Sequence, residues 1–230
     1  MIIQIYAFTK IEEAVAAVNM GVDNIGFIAG VYDMVFGELS FADARAMAAA
    51  IPASGTSTAI TMSEDVDEIL RMADAVRPHI LHISSELEQV NLDKMAEIKR
   101  RLSPHIQLMK AIPVEDMASV DIAKSYAAMS DLLLLDTSRK GFPGVGATGF
   151  THDWNVSKAI VDAVDIPVIL AGGLNAQNVC DAIEKVRPWG VDSNTSTNKE
   201  GSRVEKDLER IAEFVAAIQH SPYYEKEARP

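Results

Sequence analysis

Short apolar runs recur along this chain at nearly even spacing, and a helix-length segment separates each from the next. Eight such runs are readable, at 1–6, 24–28, 57–62, 79–83, 106–112, 132–136, 166–170 and from 190 onward. Strict alternation of strands with helices dictates a parallel sheet, because each parallel strand must be reached by a crossover. Eight units in a chain of 230 residues predict an α/β fold in which eight parallel strands close into a (β/α)8 TIM barrel. An open doubly wound sheet is the alternative, but it carries a glycine-rich turn after its first strand. Here the first strand runs into Ala7, Phe8 and Thr9. No linker or low-complexity tract interrupts the pattern, so one barrel domain is expected over 1–220, followed by a frayed tail at 221–230.

Helix starts are marked by capping residues. Thr9 with Glu12 and Ser85 with Glu88 have capping-box spacing, and Ser40, Ser63 and Asn175 stand before apolar-periodic segments. Pro113 is expected near the start of the fifth helix, where its missing N–H costs nothing.

In such a barrel the working face lies at the strand C-termini. The most informative stretch there runs from Ser130 to Leu174. Four leucines, Leu132 to Leu135, read as a strand buried on both faces, and Asp136 stands where that strand surfaces. A loop with Gly141, Gly144, Gly146 and Gly149 follows, and the next strand ends in Gly172 and Gly173. A carboxylate at one strand end beside paired glycines at the next suggests an acid/base group next to a phosphate cradle. Gly172, Gly173, Asn194, Thr195 and Ser196 fall after strands seven and eight, where these barrels commonly hold phosphate.

Other residues at the strand ends are candidates of less specific kind. Tyr6 closes strand one. His82 closes strand four and is either a proton-transfer group or a core-edge histidine bonded to backbone. His152 in the glycine-rich loop is either a base or a contact at the following helix start. The 30–39 loop is unusually apolar, so Tyr32 and Phe36 are expected to line the pocket, with Thr148 from the glycine-rich loop. Lys110 on strand five either points into that pocket or faces outward.

Charge and cysteine content narrow the partners. A formal net charge of −12 argues against nucleic acid or an anionic membrane. The single cysteine, Cys180, permits no intrachain disulfide, and the five histidines lack metal-ligand spacing. No cofactor is called for. With no signal-peptide pattern and no membrane-length apolar run, a cytoplasmic protein is expected.

The chain resembles the phosphoribosylanthranilate isomerase family over nearly its whole length. LLLLDT is similar to the family's sixth strand with its catalytic aspartate, GATGFTHDW to its GGTG…FDW loop, and IPVILAGGLNAQNV to its seventh strand. GVDSNTSTNKEGSRVEKD follows the family's eighth-strand segment, and GVDNIGFI and ITMSEDVDEIL match its second and third units. The resemblance implies an Amadori-type isomerisation, with Asp136 as general acid and Gly172 and Gly173 in the phosphate site. The family's strand-one base is a cysteine, and Tyr6 stands at that position. The family's second loop carries an arginine that holds the anthranilate carboxylate, whereas residues 31–40 contain no arginine.

These features point to an enzyme that isomerises a small phosphorylated compound, of the aldose–ketose type, with Asp136 as general acid. The same features fit an authentic phosphoribosylanthranilate isomerase with a substituted base, or a barrel that binds a phosphorylated metabolite without converting it. A monomer or homodimer is expected.

Overall fold

A computed structural model describes residues 1–137 and 151–224. Its strands are β1 (Ile2–Ile5), β2 (Asn24–Ala29), β3 (Glu38–Leu39), β4 (Thr56–Thr61), β5 (Ile80–Ile83), β6 (Gln107–Pro113), β7 (Leu132–Asp136), β8 (Val168–Leu170) and β9 (Gly190–Ser193). Between and after them run α1 (Ile11–Asn19), α2 (Phe41–Ala50), α3 (Val66–Val76), α4 (Leu92–Arg101), α5 (Ala118–Ala127), α6 (Trp154–Ala163), α7 (Val179–Val186) and α8 (Leu208–Gln219).

Eight strands pair in parallel in the order β1-β2-β4-β5-β6-β7-β8-β9, and β9 pairs back to β1, closing the barrel. The ninth, β3, is a two-residue parallel pairing of Glu38 and Leu39 with the end of β2, inside what the sequence presents as a loop.

Period-two alternation sorts the side chains into two layers. Ile3, Ile5, Phe27, Leu81, Leu133, Leu135 and Leu170 face the helices and join one large apolar layer. Tyr6, Ile28, Ile80, Met109, Ala111, Leu132, Leu134, Ile169 and Ala171 fill the barrel itself. The four leucines of β7 thus divide evenly between the two layers, and all are buried. Burying each contributes roughly 1.5–3 kcal/mol, which explains why the run carries no polar residue before Asp136.

Several helix entries differ from the capping expectation. Ser85 is drawn away from any cap: its hydroxyl donates to the Ser63 carbonyl at 2.8 Å. Residues 86–90 form turns, and α4 starts only at Leu92, where Asn91 accepts from the Lys94 N–H at 3.1 Å. Asp65, not Ser63, caps α3, while Ser40 caps α2 as expected. The cap position of α1 is Lys10, which bonds through its ammonium to Glu205 at 3.0 Å instead of capping. Pro113 ends β6, opposite Asp136, and α5 begins five residues later at Ala118. At the C-terminus, Tyr223 and Tyr224 pack on the core, and Arg187 stacks on the Tyr223 ring at 3.3 Å. Among the described residues no helix is long and apolar enough to cross a membrane.

Candidate active site

Asp136 is the last residue of β7 and is 9% exposed. Its Oδ1 accepts the Thr137 N–H at 2.7 Å. The β8 strand delivers Gly172 directly against it. A Cβ built on Gly172 would lie 2.7 Å from Thr137 Oγ1, 3.0 Å from His152 Nδ1 and 3.3 Å from Asp136 Oδ1. Gly172 also holds φ +88° and Gly173 φ +63°, the left-handed region that favours glycine. The acid, a hydroxyl, an imidazole and the glycine turn therefore share one corner of the barrel mouth.

His152 is fixed in that corner through both ring nitrogens, Nδ1 with Thr137 Oγ1 at 3.2 Å and Nε2 with Ser157 Oγ at 2.6 Å. Burial pushes its pKa down to about 4 against the opposing charge of Asp153. It stands by as a neutral hydrogen-bonding group.

Tyr6 reaches from β1 across the top of the barrel. Its ring lies over Gly26, where a Cβ would come within 2.1 Å of it, and its phenol bonds His82 Nδ1 at 2.9 Å. Burial, then the charge of Asp192, holds the phenol well above its ordinary range. Burial, then the charge of Lys110, pushes His82 down to about 3. His82 Nε2 is buried and has no partner among the described residues. At neutral pH both members of this pair are uncharged, and neither is poised to exchange a proton.

The two histidines set an acid limit on stability. Each is held neutral in the fold, while the unfolded chain takes up protons below about pH 6.5. Their contribution is complete above that value and falls as pH drops toward 4 and 3. Asp192, held high, acts in the opposite direction between pH 4 and 8. Urea unfolding at pH 7 and pH 5 is therefore read as a difference: a His82→Gln variant is expected to lose less stability on acidification than the wild type. Equal losses would refute this assignment.

In the segment after β9, side chains serve the loop's own frame. The Ser193 and Ser196 hydroxyls lie 2.9 and 2.6 Å from the Leu174 carbonyl oxygen and 2.6 Å from each other, so their two hydrogens are spent within this cluster. Asn194 Oδ1 accepts the Ala7 N–H at 3.1 Å. Lys206 is 1% exposed and donates to Asn194 O at 3.0 Å, Thr197 Oγ1 at 3.1 Å and Asn198 Oδ1 at 2.6 Å. The donors left for a ligand are the Thr195 hydroxyl, Asn194 Nδ2 and backbone groups. Among the described residues, the N–H groups of Gly173, Thr195 and Ser196 make no hydrogen bond.

The other pocket candidates separate. Tyr32 bends back over Gly30 and meets Thr61 Oγ1 at 3.5 Å. Val35 packs on the barrel-filling cluster, so this loop covers part of the mouth, and Phe36 stands at its rim, 63% exposed, under the Arg203 guanidinium at 4.6 Å. The Glu38 carboxylate accepts the N–H groups of Tyr32, Asp33, Met34 and Val35 at 2.8 to 3.2 Å, so the loop is wound around its own anion. Lys110 faces away from the barrel interior. It alternates with the inward Met109 and Ala111, is fully buried, and donates to the Ile83 and Ser85 carbonyls near the Tyr126 ring. Its place in the outer layer takes it out of the pocket. Thr148 and the four loop glycines lie outside the described residues.

One buried carboxyl escaped the sequence reading. Asp192 on β9 is 6% exposed and turns into the barrel beside Gln4 of β1, with which it is in register. Gln4 Nε2 donates to Asp192 Oδ1 at 3.2 Å, and Asn24 Nδ2 donates to Gln4 Oε1 at 3.3 Å. Burial, then the charge of Asp136, pushes Asp192 up to about 8. The signal was present: a lone carboxylate at the inward position of a short apolar strand, as in β7.

A model of the family described as "N-(5'phosphoribosyl)anthranilate (PRA) isomerase" matches residues 3–217. The chain is 35% identical to the N-(5'-phosphoribosyl)anthranilate isomerase of Haloferax volcanii, over 90% of this chain and 88% of that protein. It is 32% identical to that of Methanocella arvoryzae, over 94% and 97%. The solved phosphoribosyl anthranilate isomerase of Thermotoga maritima superposes with a TM-score of 0.76 at 26% identity, over 95% of this chain and 99% of that one. A phosphoribosyl anthranilate isomerase in complex with reduced 1-(o-carboxyphenylamino)-1-deoxyribulose 5-phosphate superposes with a TM-score of 0.74 at 25% identity, with the same coverage.

Proposed function

The chain belongs to the N-(5'-phosphoribosyl)anthranilate isomerase family, and from that premise we propose that it isomerises a small phosphorylated sugar compound, aldose to ketose, by proton transfer over Asp136. The observation that carries this reading is the approach of Asp136 Oδ1 to Gly172, which puts a proton-transfer carboxyl beside a turn of backbone donors. The phosphate is held by the N–H groups of Gly173, Thr195 and Ser196, since successive backbone N–H groups make an anion-binding concavity. That anchor sets the sugar's first two carbons above Asp136. The enzyme works in the cytoplasm, as a monomer or homodimer.

A second reading names the substrate as N-(5'-phosphoribosyl)anthranilate itself. Its similarity to the N-(5'-phosphoribosyl)anthranilate isomerases of Haloferax volcanii and Methanocella arvoryzae favours it. Two features distinguish this chain within that reading: Tyr6 at the end of β1, and a 31–40 segment without arginine.

The test is incubation of the purified protein with ribose 5-phosphate and, separately, with N-(5'-phosphoribosyl)anthranilate, followed by NMR for ketose. Ketose from either supports the isomerase. A rise in melting temperature with both compounds and conversion of neither would leave a binding protein.

The anchor has its own test. Inorganic phosphate is expected to raise the melting temperature of the wild type and not that of Gly172→Ala, whose Cβ would press on Thr137 and His152 at a φ of +88°. An equal rise in both proteins would move the anion elsewhere.

A further inference from the structure

Three exposed large apolar side chains, Val31, Met34 and Phe36, fall within the one short segment between β2 and β3. Scattered exposed apolar residues are ordinary, but a cluster at the working face marks a binding surface. The segment has a fixed backbone, because the Glu38 carboxylate accepts four of its N–H groups. It holds no lysine or arginine from 31 to 40.

A cation reaches it from the far side of β1. After β9, Asn198 and Lys206 form an antiparallel bridge, and residues 199–205 turn between them. The Lys199 N–H donates to the Glu205 carbonyl at 2.9 Å, and Asn198 Nδ2 donates to the Arg203 carbonyl at 3.1 Å, which fixes the turn. A Cβ built on Gly37 would lie 3.2 Å from both Val204 and Thr9, so this turn and the segments after β1 and β2 meet there. Beside Val204, the Arg203 guanidinium lies over the Phe36 ring at 4.6 Å. Contact with a ring spends none of the five N–H donors of a guanidinium. Among the described residues the Arg203 side chain makes no ion pair and no hydrogen bond.

The described lysines near the strand ends are already spent. Lys10 and Lys199 pair with Glu205, and Lys94 donates to the Glu64 and Gln89 carbonyls. Lys110 lies behind the sheet, and Lys206 is buried among its bonds to Asn194, Thr197 and Asn198.

We propose that Val31, Met34, Phe36 and Arg203 form a subsite for the aryl carboxylate of the substrate, with Arg203 pairing the carboxylate and the apolar side chains covering the benzene ring. This rests on the second reading above, in which the substrate is N-(5'-phosphoribosyl)anthranilate. That compound is anionic at both ends. With its phosphate on the N–H groups of Thr195 and Ser196, its carboxylate needs a cation of its own in a chain of net charge −12. The segment after β9 provides one, Arg203, at the tip of the turn that follows the phosphate donors. The planar guanidinium can hold a carboxylate through two parallel N–H···O bonds. The uncovered part of the Phe36 ring, with Val31 and Met34, offers the adjoining benzene ring an apolar surface.

The test isolates the carboxylate. Calorimetry is run with reduced 1-(o-carboxyphenylamino)-1-deoxyribulose 5-phosphate and with the same compound lacking the carboxyl group. The wild type is expected to bind the carboxylated probe about 10–100-fold more tightly, the worth of a charge-assisted pair. Arg203→Gln is expected to lose that preference while binding the probe without a carboxyl group as the wild type does, which also shows that the variant is folded. With N-(5'-phosphoribosyl)anthranilate, its KM is expected to rise by a similar factor and its kcat to stay within a few fold, the signature of lost uniform binding. If the wild type prefers the carboxylated probe and Arg203→Gln prefers it equally, Arg203 is not the anchor and the anthranilate reading stands. If the wild type binds the two probes alike, or binds neither, the anthranilate reading fails and the subsite falls with it.

Discussion

Asp136→Asn is expected to lower turnover by about 10²–10⁴-fold, the usual cost of removing a general acid or base. The amide keeps the size of the carboxyl and can still accept the Thr137 N–H that now bonds Oδ1 at 2.7 Å. Gly172 packs against the same oxygen, so the corner stays filled. What is lost is the capacity to take and return a proton. Phosphate-dependent stabilisation is therefore expected to survive within a few fold while kcat collapses. A variant that retains wild-type kcat would show that the reacting carbons do not lie over β7.

Gly26→Ala is expected to destabilise the barrel wall strongly. A methyl group there would stand 2.1, 2.2 and 2.4 Å from three atoms of the Tyr6 ring. The ring has nowhere to go: Tyr6 is 4% exposed, and its phenol is tied to His82 at 2.9 Å. Overpacking of this kind costs about 1–3 kcal/mol and sometimes more, and a lost hydrogen bond adds about 1 kcal/mol. At about 2–4 °C per kcal/mol for a chain of this size, the melting temperature drops by roughly 5–15 °C. Tyr6→Ala alone also destabilises, through the cavity it leaves. The double variant is expected to be more stable than the sum of the two losses, because the added methyl then enters vacated space. Simple additivity would mean that the Tyr6 ring does not rest on Gly26.

These two positions show what was legible in the sequence. The barrel was, because alternation of short apolar runs with helices leaves few architectures, and β7 announced itself by four leucines and one carboxylate. Asp136 and the glycine turn were readable for the same reason: each breaks a pattern at a strand end. Direction across the wall was harder. Lys110 sits in an apolar strand just as Asp192 does, and only the register places one behind the sheet and the other in the mouth. The serines after β9 have the composition of a phosphate loop, yet their hydroxyls are spent on Leu174 and on each other, and leave backbone groups, the Thr195 hydroxyl and Asn194 Nδ2 to bind. That division depends on a turn from β8 lying beside them, a long-range contact that local spacing does not encode. The same holds for Ser85, whose capping pattern gives way to a bond with Ser63 on the neighbouring unit.

Proton transfer over Asp136 is the central step, and solvent exchange reads it directly. Wild-type protein incubated in heavy water with N-(5'-phosphoribosyl)anthranilate or ribose 5-phosphate is expected to yield ketose carrying deuterium at the carbon beside its carbonyl. Asp136→Asn under the same conditions is expected to yield none. Both substrates recovered from the wild type unconverted and without deuterium, although each raises its melting temperature, would contradict the account.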